Sequence, residues 1–342
     1  MSLDLLIFSR DREKELLLTL KRMSGYSFRV LVLHNSKFGL SNQMLPSNVT
    51  YIHAPGMNYG ERAKVARNYL ESDFCFVSSD DDGVIESSIL QMEDWLTNNP
   101  KYSSVGGMCI GAFPYGGRVT ASIAYSEMNN YKLISRSVED RLEEHMLSGA
   151  GNRPPRAGLY RLFRRETMDK ILEVFGECSR FSSPYVYEVC AELVSAWSGP
   201  TKYINHLYWI RNWQTKMISK KDWNRKLTFN DWWNDPLYSV EKVRFIQVVS
   251  EQLSLREEYL SGLVSKYVDQ WKDFFQSAEE TRNSSYPKFA RLVGQKIKIE
   301  FFPKSAPRRI EDLLATDLAF LSSVERQDVY EVGREMFLGT KR

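Results

Sequence analysis

Phe74-Cys75-Phe76-Val77-Ser78-Ser79-Asp80-Asp81-Asp82-Gly83 is a short apolar run that ends in three consecutive carboxylates and a glycine. A short apolar run bounded by polar residues reads as a buried strand. It delivers Asp80, Asp81 and Asp82 into a turn. Like charges this close raise one another's pKa unless a cation neutralises them. A divalent ion with oxygen ligands does so, and a pyrophosphate can complete its octahedron. Such an ion then offsets charge that builds on a departing nucleoside diphosphate. The competing possibility is a solvated acidic turn, with one aspartate capping the helix that starts near Ser87.

Outward from this turn, strands alternate with helices. Leu3 to Phe8, Arg29 to Leu33 and Val49 to Ile52 read as strands, and Glu13 to Met23 and Gly60 to Leu70 as helices. Ser87 to Asn98 is helical and is stopped by Asn99-Pro100. The alternation predicts an α/β fold, with a mostly parallel Rossmann-like sheet and helices on both faces. In such sheets ligands bind beyond the carboxyl ends of the strands. Residues 101 to about 160 are less regular, with Gly106-Gly107, Gly116-Gly117 and a loop at Asn152-Arg153-Pro154-Pro155-Arg156. Gly158 to Arg164 and Tyr203 to Ile210 then read as strands, and Arg165 to Phe175 and Glu188 to Trp197 as helices. After Asn212 strand-like runs nearly vanish. Apolar residues there recur at helical spacing, most clearly from Val240 to Phe275. The expected organisation is a catalytic domain over 1–211 and a helical C-terminal domain over 212–342.

An apolar content of 43% and a charged content of 26% are those of a folded globular chain. A net charge of +3 argues against a dedicated nucleic-acid binder. The four cysteines sit far apart, without metal-ligand spacing or a disulfide framework. No apolar run approaches the roughly 18 residues of a membrane span, and the N-terminus lacks a signal-peptide pattern. The expected location is the cytoplasm, or the inner face of the membrane as a peripheral protein. Peripheral contact would run through Lys288 to Arg309, where basic residues are interleaved with Phe289, Phe301 and Phe302. A solvated edge of the helical domain accounts for that stretch equally well.

From Asn48 to Gly107 the chain resembles the first half of GT-A glycosyltransferases, family-2-like and of the bacterial surface-polysaccharide type. Over the first 110 residues or so the likeness rests on Ile7-Phe8-Ser9-Arg10-Asp11-Arg12, Leu33-His34-Asn35-Ser36, Gly60 to Asn68, Ser79-Asp80-Asp81-Asp82 and Ser104-Val105-Gly106-Gly107. It covers residues 158–210 loosely and the C-terminal part not at all. The resemblance implies metal-dependent transfer of a sugar from a nucleotide-sugar to a carbohydrate or lipid-linked glycan acceptor, with Mn²⁺ or Mg²⁺. It implies that Ser9 and Arg10 line the nucleotide pocket. Asn35 follows the second strand, where the family places a carboxylate on the base. Arg67 would hold the pyrophosphate or the acidic turn, and Asn68 would fix the loop. Asp80 would face the ribose with Asp81 beside it, and Asp82 would bind the metal together with Asp80 and a late histidine, His206. Arg62 and Lys64 read as a solvated helix face.

Inverting members of the family need a carboxylate to deprotonate the acceptor hydroxyl. Glu188 and Glu192 are one helical turn apart and share a face. Glu188 is the expected base, because its place at the helix N-terminus keeps it ionised; otherwise both simply begin a surface helix. Seven of the eight tryptophans follow Ser195, among them Trp209, Trp213, Trp223, Trp232 and Trp233. Some could stack on an acceptor sugar, but most are expected to pack a core. Two other functions stand beside transfer. A sugar-phosphate nucleotidyltransferase of similar fold would want a glycine-rich loop after the first strand, and Ser9-Arg10-Asp11-Arg12 has no glycine. A non-catalytic carbohydrate-binding protein would tolerate a degenerate pocket, whereas Asp80-Asp81-Asp82 is intact.

Overall fold

A computed structural model describes residues 3–129, 131–148, 158–179, 181–213, 227–284 and 308–338. The loop at Asn152 to Arg156, Trp223 and the basic stretch from Lys288 to Pro307 lie outside the described residues.

Four strands form the parallel half of one sheet: β1 (Leu3–Arg10), β2 (Arg29–Asn35), β3 (Val49–His53) and β4 (Phe74–Ser78). Their order is β3-β2-β1-β4, with every pair parallel. Such strands are covered on both faces, which is why their sequences are apolar throughout. Alternate residues serve different cores. Leu6, Leu31, Leu33, Cys75 and Val77 face one cluster, while Leu5, Ile7, Val30, Val32 and Phe76 face the other. Helices α1 (Glu13–Arg22) and α3 (Glu86–Asn98) cover the second face with Leu16, Leu20, Ile89, Met92 and Leu96. Helices α2 (Tyr59–Arg67), α4 (Val138–Ser148), α5 (Arg165–Glu177) and α6 (Val186–Ser198) contribute to the first. The expected α/β architecture, with a mostly parallel central sheet and helices on both faces, is the one observed.

Beyond β4 the sheet becomes mixed. The two-residue strand β5 (Gly83–Val84) precedes a hairpin of β6 (Ser104–Tyr115) and β7 (Arg118–Ala124). The hairpin lies where the sequence reads as irregular, since glycines interrupt the apolar pattern. Gly116 and Gly117 make its turn, both at positive φ (56° and 74°), as a two-residue hairpin loop requires. After β8 (Lys132–Leu133), strand β9 (Leu162–Arg164) lies antiparallel between β4 and β6. Strand β10 (Thr201–Asn212) runs parallel to β6 and antiparallel to β5.

The helices after residue 212 divide between two cores. Helices α7 (Phe229–Asn234), α8 (Ser239–Leu253) and α9 (Glu257–Ser284) join the α5–α6 side through Trp232, Phe245, Val249, Leu260 and Val264. Strand β11 (Arg308–Arg309) pairs with β7 at the sheet edge. Helices α10 (Ile310–Ala315) and α11 (Ser323–Leu338) pack Ile310, Leu313 and Val329 against Ile110, Leu207 and Ile210. The drop in strand-like pattern near 212 therefore does not coincide with a boundary in packing, because the last strand and helices return to the sheet. Trp232 is fully buried and donates Nε1–H to Glu241 at 2.8 Å, while Trp233 stacks on Phe229. Among the described residues no helix is long and apolar enough to cross a membrane.

Candidate functional site

Register brings the carboxyl ends of β1, β2 and β4 together. Ser9 lies opposite His34, Arg10 opposite Asn35, and Ile7 opposite Ser78. Strand β4 thus releases Asp80, Asp81 and Asp82 beside Ser9, at the edge where ligands bind in open α/β sheets. The turn is not solvated: the three aspartates are only 4%, 8% and 4% exposed. None of them caps α3, whose N-cap Ile85 makes no side-chain bond.

Both oxygens of every aspartate accept a donor. Asp80 takes Ser9 Oγ–H at 2.7 Å and Arg12 at 2.8 Å. Asp81 takes Ser79 Oγ–H at 2.6 Å and the other arm of Arg12 at 2.7 Å. Asp82 takes the Trp209 indole N–H at 2.8 Å and the Asn212 backbone N–H at 2.9 Å, both from β10. The turn's backbone is tied to α1, since Thr19 donates to the Asp80 carbonyl at 2.9 Å and Arg22 to that of Asp82 at 3.2 Å. Gly83 is required by a close approach. A Cβ there would come within 2.5 Å of Met336 Sδ and 2.7 Å of Val332 Cγ1, on α11.

Burial dominates the electrostatics. It pushes the Asp80 carboxyl up to about 6 against the pull of Arg12 and Ser9. It raises Asp82 further, with help from the neighbouring Asp81. Trp209, the donor to Asp82, is sandwiched between Tyr160 (centroids 4.3 Å apart, 13°) and Tyr125 (5.7 Å, 12°). The Arg211 guanidinium lies 5.8 Å from the Tyr125 centroid and 6.0 Å from that of Trp209. Tyr160 is held well above its usual range, by burial first and then by the fields of Asp82 and Glu188. Glu188 sits exposed in the first turn of α6, so the same tyrosine feels both carboxylates.

The remaining expected site residues divide. Arg10 stays on the surface, 3.4 Å from Asp11. Asn35 braces the loop after β3, donating to the Met57 carbonyl at 2.6 Å and accepting from Gly56 N–H at 3.0 Å. His34 is fully buried and shares Nδ1 with Tyr51 at 2.8 Å, while its Nε2 has no hydrogen-bond partner.

Arg67 is held on α5, by Asp169 at 2.8 and 2.9 Å and Glu173 at 3.1 Å. The arginine that grips the acidic turn is Arg12, from the loop after β1. Asn68 ends α2 as its C-cap. Arg62, expected on a solvated face, is 4% exposed and donates to the Ser9 carbonyl at 2.7 Å and the Leu33 carbonyl at 3.0 Å. The helix face that looks polar in sequence covers the orphan carbonyls at two strand ends.

His206 is not brought to the turn; its Nδ1 lies 3.0 Å from Glu325 on α11. Among the described residues no three His, Cys, Asp or Glu side chains converge as a metal-ligand set. Glu192 is no surface residue either. It accepts from His145 at 2.7 Å, Arg161 at 3.1 Å and Gly158 N–H at 2.8 Å, deep in the core. Of the residues around the turn, Trp209, Tyr160 and Asn212 have no signal in spacing, because their roles depend on where β10 and β9 enter the sheet.

No protein-family model matches the chain, and no curated protein matches it. Among solved structures it is similar to S. aureus TarS. For residues 1–349 of TarS the identity is 12% and the TM-score 0.44, covering 84% of this chain and 93% of that one. For the same region in complex with UDP-GlcNAc the values are 10% and 0.46, covering 82% and 92%. Against a longer TarS structure the identity is 12% and the TM-score 0.43, and the match spans about half (54%) of that chain. Likeness this distant transfers no activity and no residue role.

Proposed function

We propose that the chain is a glycosyltransferase that moves a sugar from a nucleotide-sugar donor to a carbohydrate or lipid-linked glycan acceptor. One observation supports this most: three adjacent aspartates are held buried at the carboxyl edge of the parallel strands, each oxygen oriented by a named donor. A merely solvated turn would need no such preorganisation. The donor set is all hard oxygen, which suits Mn²⁺ or Mg²⁺. Asp82 and Asp80 would hold the ion, which would supply charge stabilisation for the leaving diphosphate. Arg10 is exposed at the end of β1, where its pair with Asp11 is open to solvent, and Asn35 at the end of β2 borders the same edge.

Glu188 is the base in this reading. It takes the proton of the acceptor hydroxyl, the oxygen attacks the anomeric carbon, and the bond to the nucleoside diphosphate breaks with inversion. Its exposure in the first turn of α6 suits an acceptor arriving from solvent. Glu192 is excluded from that task by its buried partners.

The test is a thermal-shift panel of nucleoside mono- and diphosphates, each with and without Mn²⁺. A ligand at a hundredfold excess over its dissociation constant adds about 2.7 kcal/mol. One nucleotide should stabilise the protein in a metal-dependent way, and Asp82→Ala should abolish that shift. If no nucleotide shifts the transition, the reading fails, and a carbohydrate-binding protein takes its place.

A further inference from the structure

Arg12 stands apart among the partners of the acidic turn. Ser9, Trp209 and Asn212 belong to the sheet, and each serves a single aspartate. Arg12 reaches in from the N-cap of α1 and bridges two, with Nη1 on Asp80 and Nη2 on Asp81. Its side chain is 20% exposed, against 5% and 8% for its two partners. It is thus the one member of these two ion pairs that solvent reaches appreciably. The residue before it, Asp11, turns the chain at φ 51°, so the guanidinium arises from a loop rather than from a strand.

We propose that Arg12 is the counter-cation of the acidic turn in the donor-free protein, and that it exchanges places when donor and metal arrive. This rests on the metal-dependent reading given above. The guanidinium on Asp80 and Asp81 competes for the Asp80 carboxylate with a divalent ion held by Asp80 and Asp82. Without Arg12 or a metal, two adjacent buried carboxylates would face each other uncompensated. An arriving ion removes that need, and the diphosphate brings negative charge of its own. Arg12, whose planar fork matches phosphate oxygens, then pairs with it. Charge stays balanced throughout, no bond is made or broken, and metal and diphosphate assist each other's binding. By linkage, each strengthens the other by the same factor. Metal alone binds weakly because it must first expel Arg12.

Mn²⁺ binding to the full chain tests this, read from the electron paramagnetic resonance signal of free Mn²⁺, with and without inorganic pyrophosphate. Arg12→Met should bind Mn²⁺ alone at least tenfold more tightly than the parent, and pyrophosphate should add little further. In the parent, pyrophosphate should tighten Mn²⁺ binding severalfold or more. Arg12→Lys retains the charge but cannot bridge two carboxylates; it should fall between the two, and it decides the matter if Arg12→Met does not fold. Equal Mn²⁺ affinity in parent and variants, or no binding in any of them, overturns the exchange. The nucleotide panel separates the two failures. A nucleotide shift without any Mn²⁺ effect preserves the donor site while removing the role of Arg12.

Discussion

Two buried carboxylate sites in this molecule solve the same problem in opposite ways. At the acidic turn, Asp80 and Asp81 share a guanidinium that solvent can reach, and burial holds the Asp80 and Asp82 carboxyls above their ordinary range. In the core, Glu192 is enclosed with His145 and Arg161, both 0% exposed, and its carboxyl is kept low. Burial works against that charge too, but bonds from His145 and the field of Arg161 overcome it. The network continues from Arg161 to the Tyr203 hydroxyl and Ser195, each at 3.0 Å, and from His145 to the Tyr131 hydroxyl at 2.6 Å. A sealed network holds structure together. An aspartate cluster whose counter-charge is within reach of solvent is the one proposed to receive a ligand.

The largest effect expected from this contrast is on folding. Glu192→Ala strands Arg161 and His145 without their acceptor, which should cost about 3–5 kcal/mol in urea denaturation. A loss below about 1 kcal/mol would mean the core network is as exchangeable as the turn.

A smaller effect should appear in the pH dependence of the turn. Because the folded-state carboxyl of Asp82 is raised above the unfolded 3.8, the folded protein binds more protons between that value and the raised one. Its stability therefore falls as pH rises through this window. Asp82→Asn removes the titration. In chelator, its stability relative to the parent should improve from pH 4 to 7, by roughly 2 kcal/mol. A pH-independent difference would place Asp82 among satisfied charges such as Glu192.

The smallest effect belongs to Arg67. The side chains in its pairs with Asp169 and Glu173 are 30–38% exposed, so Arg67→Met should cost less than about 1 kcal/mol. It should also leave nucleotide affinity unchanged. A tenfold loss of affinity in a binding titration would return Arg67 to the pyrophosphate and weaken the role given to Arg12.

The same contrast explains what could be read from the chain. The acidic turn is legible because a strand and the loop it feeds are contiguous: a continuous apolar run locates β4, and Asp80 must follow it. Glu188 and Glu192 look alike by the same logic, being one turn apart on a single helix. Their difference arises from α4 and the β9 region, which bring His145 and Arg161 to one of them only. Arg62 looks solvated in the sequence because helical spacing shows that residues share a face, not what that face covers.

What the amino-acid order determined is local and periodic. It set the parallel half of the sheet, the helices that cover it and the position of the acidic turn at a strand's carboxyl end, since each follows from the apolar pattern along a few residues. The tertiary structure decided which arginine meets the aspartates, which tryptophan donates to Asp82 and how α11 closes behind Gly83. Those contacts join residues 68 to about 250 positions apart. They depend on strand order and register, which no short stretch of sequence contains.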